Sequence, residues 1–241
     1  MSKVKIIFLG TPLFVKLIKD TLAKHFTLVK SLKEADLAVV AAYGRILTKD
    51  ELDIPQYGFL NIHPSLLPKY RGPSPIQQAI LNGDKVSGIT IIKMDEDVDH
   101  GPIIYQEKLE LSDNDNFDTL SKKMFQLAAQ VSPKIIEDFV SGRIQPTPQN
   151  HDQATYCVRL TRESGYFPID NPLSAEKLDR MIRAYHPWPG VWTVWEIKNQ
   201  KSKIKKIVKF LPDGRIQMEG KKAMPMRDFL NGYPDFPLKE L

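Results

Sequence analysis

Residues 36–44, DLAVVAAYG, are almost continuously apolar. A strand with one wet face alternates apolar and polar residues, whereas a continuous run of this length marks a strand covered on both faces. Such a strand belongs inside a sheet with helices packed on either side. The flanking segments fit that frame. VKIIFLG (4–10) reads as a β-branched strand ending at Gly10, followed by a helix with apolar spacing from Leu13 through Leu22, and FTLVKSL (26–32) and GFLNIH (58–63) read as strands. PIQQAILNGD (75–84) reads as a helix with Pro75 in its first turn and Gly83 closing it. SGITIIKM (87–94) and PIIYQEKLEL (102–111) read as strands around an acidic turn, and residues 116–142 as a long helix with a proline near its middle.

Strands alternating with helices predict a Rossmann-like α/β fold with a mostly parallel sheet, and a ligand outside the carboxyl ends of its strands. After Gly142 the chain turns polar and proline-rich, as a connector does. Beyond it, SAEKLDRMIRAY (174–185) predicts a helix, and VWTVWEI, IKKIVKF and RIQME predict short strands with a turn at Pro212, Asp213 and Gly214. The expected division is a catalytic-sized domain over residues 1–160, then a linker with a small C-terminal β module over residues 161–241.

No apolar run is long enough to span a bilayer, and MSKVKIIFLGTP lacks the features of a signal peptide. The single cysteine, Cys157, excludes an internal disulfide and any cysteine-based metal site, so a cytoplasmic protein is expected. The net charge of +5 is unevenly placed: residues 171–241 hold 14 Lys and Arg against 8 Asp and Glu, leaving −1 for the first 170. The positive charge is concentrated in KNQKSKIKKIVKF (198–210), a stretch that attracts polyanions, nucleic acid foremost. Read structurally, the same stretch is a solvated, lysine-rich edge.

The chemistry concentrates at LNIHPSLLPKYRGPSPIQQAI (60–80). Residues two apart on a strand point to one side, so Asn61 and His63 present an amide and an imidazole to one small volume. The turn DEDVDHG (95–101) spaces Asp95, Asp97 and Asp99 like a calcium loop, but its glycine stands at 101 rather than 100 and Gln106 replaces the bidentate Glu. GTP after the first strand is not a dinucleotide fingerprint. What remains is an amide, an imidazole and one carboxylate of the acidic turn, a set that stabilises an oxyanion and moves a proton in acyl transfer. No serine or cysteine has the surroundings of an activated nucleophile, so the acyl group would pass directly to an amine.

NIHPSLLPKYRGPSPIQQAILNGD followed by GITIIKMDEDVDHGPII resembles the signature of the folate-dependent formyltransferases. FLGTPLF, VVAAYGRIL, PTPQ with ATYCVRLTRESG, IRAYHPWPGVWT and EGKKAMPMRDFLNG resemble, in order, the branch of that family that formylates methionyl-tRNA. The resemblance implies Asn61, His63 and Asp99 as catalytic residues, N10-formyltetrahydrofolate as donor, methionyl-tRNA as acceptor and no metal. The donor is expected in a cleft walled by Ala42, Tyr43, Gly44, Arg45, Ile46 and Leu47, by the loop Ser65, Leu66, Leu67 and Pro68, and by Met94, Asp95, Glu96 and Val98. Tyr70, Arg71 and Gly72 are expected to shape the loop. Acceptor phosphates are assigned to Arg71, Lys203, Lys205, Lys206 and Lys209. Two departures from the family stand out: little chain separates FLGTPLF from VVAAYGRIL, and the C-terminal module is a reduced OB-like one. An amino-sugar nucleotide is the rival acceptor, and a non-catalytic folate- or RNA-binding module the rival class.

Overall fold

The computed structural model describes residues 3–11, 15–198 and 203–239. The chain divides into two compact units, Met1–Ile76 with Lys85–Asp113 and Asp118–Val158, and Gln77–Asp84 with Asn114–Phe117 and Arg159–Leu241.

The first unit is built on a six-stranded sheet of β1 (Lys5–Leu9), β2 (Thr27–Leu28), β3 (Leu37–Ala41), β4 (Phe59–His63), β5 (Val86–Lys93) and β6 (Ile103–Glu110), in the order β2-β1-β3-β4-β5-β6. β1 runs parallel to β2 and β3, and β3 parallel to β4, while β5 joins β4 and β6 antiparallel. The apolar run of β3 lies inside: Leu37, Ala38, Val39 and Ala41 are 0% exposed and Val40 4%. Each large apolar side chain buried in this way contributes roughly 1.5–3 kcal/mol, which fixes β3 as the interior strand. Ile7, Ala38, Val40 and Phe59 pack with Leu47 and Leu52 into one cluster.

Helices α1 (Lys16–His25), α2 (Lys49–Leu52), α3 (Pro75–Asn82) and α4 (Phe117–Val140) follow the strands, and α4 continues through Pro133. One expectation changes, and another falls partly outside the described residues. FTLVKSL supplies only the two residues of β2, because Ser31 Oγ accepts the Lys33 amide at 3.3 Å and turns Leu32–Glu34 into a 3-10 helix. Leu13, the expected start of the first helix, lies outside the described residues, and α1 begins at Lys16.

The second unit carries α5 (Ala175–Tyr185) and an antiparallel sheet of β7 (Val191–Lys198), β8 (Lys203–Leu211), β9 (Arg215–Met218) and β10 (Met224–Pro225), in the order β10-β9-β8-β7. Asp213 and Gly214, at φ 61° and 63°, close the β8–β9 hairpin, a backbone suited to an Asp-Gly pair. α6 (Met226–Gly232), which strand-like periodicity did not foresee, carries Phe229 against Trp195, whose ring also meets Tyr233 and Phe236 edge-on at 5.6 and 5.1 Å. No helix among the described residues is long and apolar enough to cross a membrane.

Candidate active site

Asn61 and His63 lie on the same side of β4, and the turn after β5 brings Asp99 to them. Asn61 Nδ2 donates to Asp99 Oδ1 at 2.9 Å, and the Gly72 amide donates to Asp99 Oδ2 at 2.8 Å. His63 Nδ1 stands 3.4 Å from Asp99 Oδ2, an ion-pair distance rather than a hydrogen bond. The other ring nitrogen, Nε2, is 2.9 Å from the Tyr70 carbonyl oxygen. A carbonyl only accepts, so Nε2 carries hydrogen and Nδ1 is the nitrogen that faces Asp99. His63 is 4% exposed, and the residues around this edge shield the group from bulk water.

Asp99 holds a left-handed backbone, φ 50°, which costs an L-residue about 1–2 kcal/mol. The neighbouring loop is equally constrained: Gly72 has φ 106°, and a Cβ there would lie 2.6 Å from the Cys157 carbonyl oxygen. These two residues are joined by the Gly72–Asp99 hydrogen bond, so loop and turn fix one another.

A cleft of about 480 Å³ opens at the carboxyl ends of β3 and β4. Apolar Val40, Leu47, Ile62 and Met94 line it beside Asn61, His63 and Asp99. Apolar walls with a few polar groups make a small-molecule cleft. Arg45, also on the lining, pairs with Glu51 of the α2 capping box. The Glu51 hydrogen bond raises the Arg45 pKa, while the Thr48 amide, then Arg45, lowers that of Glu51.

The sequence pattern described as formyl transferase matches residues 16–136, half of the chain, and that described as formyl transferase, C-terminal domain, matches residues 167–213. The chain belongs to the formyl transferase family. A methionyl-tRNA formyltransferase of Thermodesulfovibrio yellowstonii is 36% identical over 235 residues, covering 87% of this chain and 75% of that one. One from Roseiflexus sp. (strain RS-1) is 46% identical over 160 residues, covering 66% of this chain and 49% of its own. The chain thus spans about half the length of several curated relatives it matches. HypX from Aquifex aeolicus in complex with tetrahydrofolic acid has a TM-score of 0.69 at 15% identity, covering 98% of this chain and 48% of that one. At that identity the likeness is one of fold.

The residues named from sequence do not all meet at the cleft. Ala42, Tyr43, Gly44, Arg45, Ile46, Leu47, Met94, Asp95, Glu96 and Val98 all line the cleft with the Asn61, His63 and Asp99 cluster. Ser65, Leu66, Leu67 and Pro68 do not. The Ser65 carbonyl accepts from Thr90 Oγ1 at 2.6 Å and the Leu67 amide donates to Thr90 Oγ1 at 3.0 Å, so this loop is tied to β5 instead. Arg71, expected on acceptor phosphate, is 1% exposed, and its guanidinium is held by Gln149 Oε1 at 2.7 Å and His151 Nδ1 at 2.8 Å. It is an internal clamp.

The lysines divide by strand alternation. Lys203, Lys205 and Lys209 share one face of β8 and are exposed, whereas Lys206 shares the other face with buried Val208 and Phe210. Residues 199–202 of the lysine-rich stretch lie outside the described residues. Among the described residues no group of three or more His, Cys, Asp or Glu is placed to hold a metal ion. Sequence reasoning missed Pro64, Pro73 and Pro75 on the cleft and Gln149 behind it. The prolines stood in the motif, and Gln149 closes the PTPQ segment that carries part of the family resemblance, but its place at the site depends on a hydrogen bond to Asp99 that spans 50 residues.

Proposed function

We propose that this chain transfers the formyl group of N10-formyltetrahydrofolate to the amino group of methionyl-tRNA, acting in the cytoplasm with its tRNA. The observation that carries the reading is the convergence of Asn61, His63 and Asp99 on one cleft, with Asn61 and Asp99 2.9 Å apart and His63 and Asp99 3.4 Å apart. Family membership supports the reaction, and the names of the relatives from Thermodesulfovibrio and Roseiflexus support the acceptor. The domain division is part of the proposal: residues 1–160 carry the chemistry, and residues 161–241 the lysine face.

The cleft fits the donor. Its apolar walls suit a flat pterin, and tetrahydrofolic acid is bound by HypX, which shares the fold. The donor supplies a formyl group already activated for transfer. The acceptor amine attacks the formyl carbon, negative charge grows on the formyl oxygen, and collapse of the tetrahedral intermediate breaks the bond from that carbon to N10, which takes up a proton as tetrahydrofolate leaves. Asn61 spends one of its two amide hydrogens on Asp99 and aims the other at that oxygen. His63, with Nε2–H committed to the Tyr70 carbonyl, offers a proton on Nδ1. Asp99 orients both donors, supports the charge on His63 and helps a water take the proton that the acceptor nitrogen releases once it has attacked.

The test supplies purified protein with N10-formyltetrahydrofolate and Met-tRNA, then with amino-sugar nucleotides, and follows release of tetrahydrofolate by absorbance. Formyl-Met-tRNA is the expected product. Turnover with amino sugars alone would replace the acceptor, and no turnover with any amine would leave a binding module.

A further inference from the structure

We propose that Gln149 is the positioning residue for the Asp99 carboxylate, a role that rests on the formyl-transfer reading. Gln149 is 5% exposed and belongs to no helix or strand of the sheet. Its Nε2 donates to the Asp99 carbonyl oxygen at 2.9 Å and to the Gly101 carbonyl oxygen at 2.7 Å, and its Oε1 accepts from Arg71 at 2.7 Å. Every polar atom of the carboxamide is therefore engaged, and its orientation is determined. A flipped amide would set oxygen against two carbonyls and nitrogen against a guanidinium.

The arrangement joins three segments. Gln149 follows Thr147, whose backbone exchanges two 2.8 Å hydrogen bonds with Ile103 at the start of β6. Arg71 is anchored through its own amide to the Thr155 carbonyl and through its carbonyl to the Cys157 amide, both at 2.8 Å. Between these anchors the turn bearing Asp99 has little core of its own: Glu96, Asp97 and Val98 are exposed. A left-handed residue on such a turn persists only when its surroundings over-determine it. Gln149 does so from behind, gripping the backbone on both sides of His100 while the Asp99 carboxylate faces Asn61, Gly72 and His63.

Gln149→Met keeps the length and removes the donors, and Gln149→Glu keeps volume and the Arg71 partner while turning a carboxylate oxygen on two carbonyls. Two readouts apply to both: amide hydrogen exchange by NMR, and formyl-transfer kinetics. The Gly72 amide, which donates to Asp99 Oδ2, should exchange faster by about tenfold, while the Thr147 and Cys157 amides keep their protection. Turnover should fall by about a hundredfold, with KM for the donor changed less than about threefold. Q149M combined with Asp99→Asn should be no slower than Asp99→Asn alone, because both act through one carboxylate. Unchanged Gly72 protection, or losses that multiply, overturns the proposal. If Q149M does not fold, Q149E gives the same two measurements. A wild type that transfers no formyl group sinks the functional reading, and the exchange measurement still decides whether Gln149 places Asp99.

Discussion

Asn61 Nδ2 donates to Asp99 Oδ1 over 2.9 Å although 38 residues separate them, so the amide proposed to meet the substrate oxygen and the carboxylate beside the imidazole are parts of one unit. Removing the amide should disable chemistry without dismantling the sheet. Asn61→Ala is expected to fold and to lose roughly 10²- to 10³-fold in turnover, the usual loss for one oxyanion donor. Near wild-type turnover in a folded variant would remove Asn61 from the mechanism.

His63 and Asp99 should behave as coupled residues. With Nε2 committed to the Tyr70 carbonyl, Nδ1 faces the carboxylate at 3.4 Å. His63→Ala with Asp99→Ala should therefore be little slower than the worse single variant. Steady-state kinetics on the three proteins checks this, and fully multiplicative losses would show independent action.

Gly72 is expected to resist substitution for two separate reasons. Its φ of 106° disfavours any side chain, and a Cβ would press on the Cys157 carbonyl at 2.6 Å. Gly72→Ala should destabilise the protein by more than about 1 kcal/mol and slow turnover through the lost support of Asp99. Urea unfolding gives the first quantity; an unchanged midpoint would show that the loop yields freely.

Cys157 should be a slow thiol. It is 6% exposed, and burial pushes its pKa up, so the thiolate that reacts is scarce in the folded protein. Labelling by a disulfide reagent at neutral pH should be slow when folded and fast in denaturant. The folded-state rate should keep rising with pH above the ordinary thiol range. Rapid labelling of native protein would contradict the buried position.

The lysine face gives a prediction about salt. If tRNA phosphates meet β8, Lys203, Lys205 and Lys209 share the exposed face that receives them, and Lys206 does not. Replacing the three with Gln should raise KM for Met-tRNA and lower the log-log salt slope by about 0.7–0.9 for each phosphate no longer neutralised, with donor affinity unchanged. Lys206→Gln should do less. An unaltered slope in the triple variant would leave this face a solvated edge.

The interior strand, the strand and helix alternation and the pairing of Asn61 with His63 are legible in the sequence, because each is written in short-range periodicity. Continuous burial of residues 37–41 follows from hydrophobicity alone, and two residues on one side of a strand follow from backbone geometry. Whatever depends on distant segments meeting is set by the folded chain. Arg71 looks like a surface phosphate ligand in PKYRGPS, and becomes internal only because residues 149–156 close over it. The Ser65–Pro68 loop reads as a cleft wall and is tied to Thr90 instead. α6 needed the aromatic partners Trp195 and Phe236, and Gln149 the turn 50 residues before it. Hydrogen-bond satisfaction in a buried site is a property of the whole fold, and no local pattern encodes which amide reaches which carbonyl.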